Sequence, residues 1–209
     1  LSLLNFVTLL KTIAAVLLSP ILRPKSMATE ASLSILLSVW ITTGDLTPSV
    51  TVRHFTVLEL LRCPTCPFND VALSVLPRLL TTAKKQCGVD EDIMILTATS
   101  GDTGKAALEG FKDVDGIRIC VFYPDGGVSP VQRKQMVTQE GRNVTVCAVK
   151  GNFDDAQTGV KNIFNSFRSK ELPFKLSSAN SINIGRLAPQ VMYYFRAYAD
   201  LVNKGTINL

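Results

Sequence analysis

From residue 92 onwards short apolar runs alternate with amphipathic ones, and this alternation restricts the fold more than any other feature of the chain. DIMILTA (92–98), IRICVFY (117–123), NVTVCAVKG (143–151) and PFKLSS (173–178) read as strands, apolar at successive positions and not only at every second one. VALSVLPRLLTTAKKQ (71–86), KAALEGF (105–111), the stretch after Ser129-Pro130, and FDDAQTGVKNIFNSF (153–167) read as helices between them. Strands apolar on both faces belong to a sheet covered on both sides, and strand–helix–strand order makes that sheet parallel. The expected fold class is therefore α/β, a mostly parallel sheet with helices on both faces.

Local signals refine the elements. Pro77 inside the first helix predicts a kink or a broken turn, with Gly88 closing the helix. Ser129 reads as an N-cap with Pro130 at the first helical position, and Gly141 as the end of that helix. Asp154 and Asp155 fall in the first turn of the next helix, where they complement its dipole. Leu187, Val191, Tyr194, Phe195, Tyr198 and Val202 recur at helical spacing and predict a core-facing stripe. The closing TINL reads as a strand cut short.

Composition narrows the function classes. Apolar residues make up 46% of the 209 and charged residues 19%, which excludes a disordered chain. A mean hydropathy of +0.24 suits a doubly covered sheet, or a chain that buries a face against more protein. The net charge is +5, but Lys and Arg are scattered, without the basic face and interleaved aromatics of a nucleic-acid binder. A mildly basic protein handling phosphorylated or carboxylated small molecules fits that balance. The N-terminal LSLLNFVTLLKTIAAVLLSPIL is split by Lys11 into runs too short to span a bilayer, and reads as an amphipathic helix rather than a membrane or targeting segment.

Five cysteines are too few for a disulfide scaffold, and their number is odd, so a reducing, cytoplasmic setting is expected. Cys120 and Cys147, inside apolar runs, read as buried small hydrophobes. Cys63 and Cys66 have C-x-x-C spacing, but no second ligand pair accompanies them and His54 is the only histidine, so zinc is not indicated. A redox dithiol would want its first cysteine at a helix N-terminus, whereas the helix here starts around residue 70.

TATSGDTGKAALEGF (97–111) runs strand, turn, helix. Ser100, Gly101, Thr103 and Gly104 there offer hydroxyls and backbone N–H groups at a helix N-terminus, a site for a carboxylate or phosphate. It lacks the spacing of either common nucleotide-binding glycine motif. The alternative is a plain strand–helix connection capped by Asp102 or Thr103.

ATSGDTGKAALEGF, VFYPDGGVSPVQRKQMVTQEG, GNFDDAQTGVK and SSANSINIGRLAPQVMYYF together resemble the threonine synthase family, in order and at family spacing, over roughly residues 55–209. The resemblance implies a fold type II pyridoxal-phosphate enzyme, a carbon–oxygen lyase that converts O-phosphohomoserine and water to threonine and phosphate. It divides the chain into a mainly helical segment, 1–54, and a threonine-synthase-like α/β domain, 55–209. Pyridoxal phosphate is the implied cofactor, with Phe68, Asn69 and Asp102 near it. The implied ligand is a small phosphorylated amino acid, held by Ser100, Gly101, Asp102, Thr103, Gly104, Asn180, Ser181, Asn183 and Arg186. For the asparagines, turn formation before the last helix is the alternative role.

Two departures stand out. The family's lysine block reads L-E-L-x-x-G-P-T-x-A-F-K-D, whereas this chain has LELLRCPTCPFND, so Asn69 stands at the Schiff-base lysine and Cys63 at a glycine. The chain also stops at TINL, ahead of the family's G-N-F-G-N phosphate loop, which implies an incomplete sheet with an edge open to self-association. An amide cannot form an imine, so three readings stay open: a pyridoxal-phosphate enzyme, a catalytically silent binding protein, and a decayed fragment.

Overall fold

The computed structural model describes residues 47–168 and 170–207. The expected N-terminal helix and the last two residues of TINL lie outside them. The described region opens with an antiparallel hairpin, β1 (Ser49–Val52) and β2 (Phe55–Leu58), paired from Ser49↔Leu58 to Val52↔Phe55. Ser49–Val52 are thus a strand and residues 53–54 the hairpin turn, while the rest of the segment expected to be mainly helical lies outside the described residues. Val50, Thr51, Val52, Thr56 and Val57 are β-branched, which favours this pleated pairing.

Then follow α1 (Asp70–Gln86), β3 (Asp92–Ala98), α2 (Asp102–Phe111), β4 (Ile117–Pro124), α3 (Pro130–Val137), β5 (Val144–Val149), α4 (Phe153–Phe167), β6 (Phe174–Ser177) and α5 (Ile184–Asn203). β3 to β6 form one parallel sheet in the order β5-β4-β3-β6. The chain steps outward from β3 to β5, then crosses back to lay β6 on the other side of β3. That reversal is the topological switch point, the place where open α/β sheets form a crevice beyond their strand ends.

Each sheet face carries its own core, as the apolar runs required. Ile93 and Ile95 of β3, and Ile117, Ile119 and Val121 of β4, pack with Leu73, Leu76, Leu108, Phe111 and Met136 from α1, α2 and α3. Leu96 and Ala98, with Cys120 and Phe122, pack on the opposite face against Ala156, Val160 and Phe164 of α4. Ser129 and Gln132 form a capping box with Pro130 in the first turn of α3, and Asn152 and Asp155 form another at α4. Helix α3 stops at Val137, before Gly141. Among the described residues no helix is long and apolar enough to cross a membrane.

Three expectations change. Pro77 does not break α1, which runs through it. Its missing N–H leaves the Leu73 carbonyl without a donor four residues on, and α2 packs at that carbonyl through Gly110, where any Cβ would collide with the Leu73 oxygen. The core stripe on α5 is displaced: Gly185, Pro189, Gln190, Met192 and Tyr193 are buried. Leu187 and Tyr198 are exposed and Tyr194 is 70% exposed, because α5 packs its small residues against α1, with Gly185 lying against Leu76. Cys120 and Cys147 are half-buried, with their sulfurs 3.7 Å apart across neighbouring strands. Burial, then Cys147, pushes the Cys120 thiol up to about 12.

Replacing Gly110 by Ala is expected to lower unfolding stability by about 1–3 kcal/mol, since two helices must move apart. Gly159→Ala, in α4 with open space around it, is expected to gain about 0.5–1 kcal/mol. Urea unfolding of both variants reads the two signs.

Candidate functional site

The turn from β3 into α2 is built around a hydroxyl. Thr99, almost fully buried, accepts hydrogen bonds through Oγ1 from the N–H of Gly101 at 2.9 Å and of Gly104 at 2.8 Å. It takes the capping role expected of Asp102 or Thr103, and no side chain of the N-cap position does so. Gly101 has φ 140, and the Gln132 side chain fills the space a Cβ would need. Gly104 lies against Thr99, Val121 and Met136, which seats the helix directly on the sheet. The N–H groups of Asp102 and Thr103 belong to the first turn, where the helix itself supplies no acceptor. Asp102 is exposed and accepts from Gln132 Nε2 at 2.7 Å, and Ser100 is exposed beside it.

Asn69, 8% exposed, joins three segments. Its Nδ2 donates to Thr103 Oγ1 at 3.0 Å. Its Oδ1 accepts from Arg186 Nη2 at 2.9 Å and from Gln190 Nε2 at 3.0 Å. Residue 69 precedes α1, Thr103 opens α2, and the other two sit one turn apart on α5, so this junction sits at the switch point. The preceding residue is held as well. The Tyr193 hydroxyl donates to the Phe68 carbonyl at 2.9 Å, and the two rings stand 5.0 Å apart. Burial, then Cys63, raises the Tyr193 phenol, which therefore stays a donor.

Arg186 meets only neutral acceptors among the described residues. Besides Asn69, its Nη1 donates to the Ala179 carbonyl at 3.4 Å, and its buried Nε has no hydrogen-bond partner. Burial pushes its pKa below the ordinary value. A guanidinium without a carboxylate partner adds positive charge beside the N-terminus of α2, whose first turn also carries the Asp102 carboxylate.

The other asparagines turn to the backbone. Asn180 donates to the Ala98 carbonyl at 2.7 Å and accepts from the Ala98 N–H at 3.0 Å. Asn183 caps α5 by accepting from Gly185 N at 2.9 Å, and donates to the Ser178 carbonyl at 2.8 Å. Ser181 is exposed. The structure thus brings Asn69, Thr103 and Arg186 together, ties the Asn180 side chain to the end of β3, and gives Asn183 the cap of α5. Thr99, Gln132 and Gln190 were missed in the sequence. Gln190 was findable, four residues after Arg186 on the same helical face. Among the described residues no three His, Cys, Asp or Glu side chains gather as metal ligands.

No family model matches the chain. It is 43% identical to the threonine synthase of Pseudomonas aeruginosa over 145 residues, covering 69% of this chain and 30% of that protein. It is 41% identical to the human protein "Threonine synthase-like 1" over 172 residues, covering 75% of this chain and 23% of that one. A crystal structure of pyridoxal-phosphate-bound threonine synthase from Brucella melitensis superposes with a TM-score of 0.70 at 36% identity, covering 92% of this chain and 41% of that one. The chain therefore spans about a quarter to two fifths of the length of these proteins.

Asn69→Ala removes an acceptor shared by the buried Gln190 amide and the half-buried Arg186 guanidinium. The expected loss of stability is about 1–3 kcal/mol, read as a lower urea midpoint with the slope unchanged.

Proposed function

Over about three quarters of its length this chain belongs with the threonine synthases, and from that membership we propose a member that keeps an anion-receiving site but not the covalent chemistry. The sheet is that of a type II pyridoxal-phosphate enzyme, and the Brucella relative is a pyridoxal-phosphate-bound one. In the lysine block, Asn69 takes the position of the Schiff-base lysine. A covalently held cofactor does not fit the residues present. The Asn69 amide has no nucleophilic lone pair, and both its ends are engaged by Thr103, Arg186 and Gln190. This saturated, nearly buried amide is the observation that carries the reading.

What remains suits a small phosphorylated amino acid bound without a covalent link. Asp102 and Thr103 present first-turn N–H groups at the start of α2, and the Arg186 guanidinium lies across the Asn69 junction from Thr103. In the family, O-phosphohomoserine carries both a carboxylate and a phosphate for such a crevice. The outer edges of β5 and β6, unpaired among the described residues, give copies of the chain a route to self-association.

Pyridoxal phosphate added to the parent chain is expected to give no imine absorbance, and Asn69→Lys to gain it. An imine band in the parent overturns the loss of covalent chemistry. Calorimetric titration with O-phosphohomoserine and with inorganic phosphate is expected to show binding that Arg186→Ala weakens at least tenfold, from loss of one charged hydrogen bond of about 1.5–3 kcal/mol. No heat from either ligand at millimolar concentration would overturn the anion site.

A further inference from the structure

The turn ahead of Asn69 carries two thiols that the site does not use. Cys63-Pro64-Thr65-Cys66 reverses the chain, with the Cys66 N–H donating to the Cys63 carbonyl at 3.1 Å. Proline at the second position of such a turn arrives with its φ already set. A four-residue reversal keeps its outer Cα atoms within about 7 Å, and a disulfide needs about 4.4–6.8 Å. The turn is braced from one side. The Thr65 N–H donates to Asp70 Oδ2 at 2.8 Å, its hydroxyl donates to Asp70 Oδ1, and the Asp70 N–H donates to the Pro67 carbonyl at 3.1 Å. Cys63 is buried against Val71 and Tyr193, whereas Cys66 is exposed and holds a left-handed φ of 67.

We propose that Cys63 and Cys66 form a reversible disulfide within this turn, by exchange with a small-molecule disulfide such as oxidised glutathione. The exposed Cys66 thiolate attacks one sulfur of glutathione disulfide and expels glutathione thiolate. Cys63 loses its proton to water and displaces the second glutathione from Cys66. Two protein thiols lose two electrons, and one glutathione disulfide becomes two glutathione thiols. Burial, then the Asp70 carboxylate and Cys66, raise the Cys63 thiol above its ordinary value. The closing step is therefore the slow one, and Cys63 is a poor leaving group once bonded. The other pair is less apt despite its close sulfurs. Cys120 lies opposite Thr145, and Cys147 opposite Phe122, so the two are offset by two residues on neighbouring parallel strands and are not a directly paired couple.

The test holds the full chain in glutathione buffers of falling reduced-to-oxidised ratio, alkylates it, and digests it with trypsin. Both cysteines fall in one peptide, CPTCPFNDVALSVLPR. The expected product is that peptide two hydrogens lighter and unalkylated, returning to two alkylated cysteines after dithiothreitol. Cys63→Ser is expected to leave a glutathione adduct on Cys66. Cys66→Ser, a surface change that preserves the fold, is expected to leave Cys63 without an adduct. Both thiols alkylated at the lowest ratio, a lasting adduct on Cys66 of the parent, or oxidation of Cys120 and Cys147 first would overturn the proposal.

Discussion

The side-chain amide of Asn180 adds one rung to the ladder of β3, and the crevice depends on that rung. β6 pairs with β3 only from Asp92 to Ile95. Beyond that point Leu96, Thr97 and Ala98 have no partner strand on that side among the described residues. Asn180 takes both the N–H and the carbonyl of Ala98, so the segment after β6 docks at the end of β3. From there Asn183 caps α5, and the first turns of that helix carry Arg186 and Gln190 to Asn69. Each such bond contributes about 0.5–1.5 kcal/mol, but an orphaned pair at a strand end would cost more. A short residue with one donor and one acceptor on the same amide suits this position.

Much of the sheet was legible because its strands are apolar on both faces, which few alternatives to a covered parallel sheet allow. The cap at Ser129 and Pro130 was legible for the same local reason: it is written within four residues. The Asn69–Arg186 contact was not, because 117 residues separate its partners and strand order, not spacing, brings them together. The packed face of α5 was misread because Gly185, Pro189 and Gln190 form it, residues that carry little apolar weight. The larger apolar stripe through Leu187, Tyr194 and Tyr198 lies on the outside. The hairpin at residues 49–58 was hidden by its shortness and by an N-terminal stretch that reads as helical. In the α2 turn, Thr99 is one residue outside the S-G-D-T-G motif, so attention to the motif itself passed over the hydroxyl that shapes it.

Helix contacts in this fold are made by absence as much as by bulk. Pro77 withholds a donor, Gly110 withholds a side chain, and α1 and α2 meet at the carbonyl left between them. Gly104 and Gly185 likewise leave no room for a Cβ, Gly104 against Thr99 and Val121 and Gly185 against Leu76. The crevice inherits this closeness, since its polar atoms come from helices that could not otherwise approach within hydrogen-bonding distance of residue 69.

The junction of Asn69, Thr103, Arg186 and Gln190 has a property that an amine at residue 69 would remove. Amides and hydroxyls do not titrate in water, and a guanidinium stays protonated across the physiological range. None of the four side chains gains or loses a proton between about pH 5 and pH 9. The charge of the junction itself is therefore constant over that span, and a phosphate monoester, whose second proton leaves near pH 6, would bring an acid-dependence of its own.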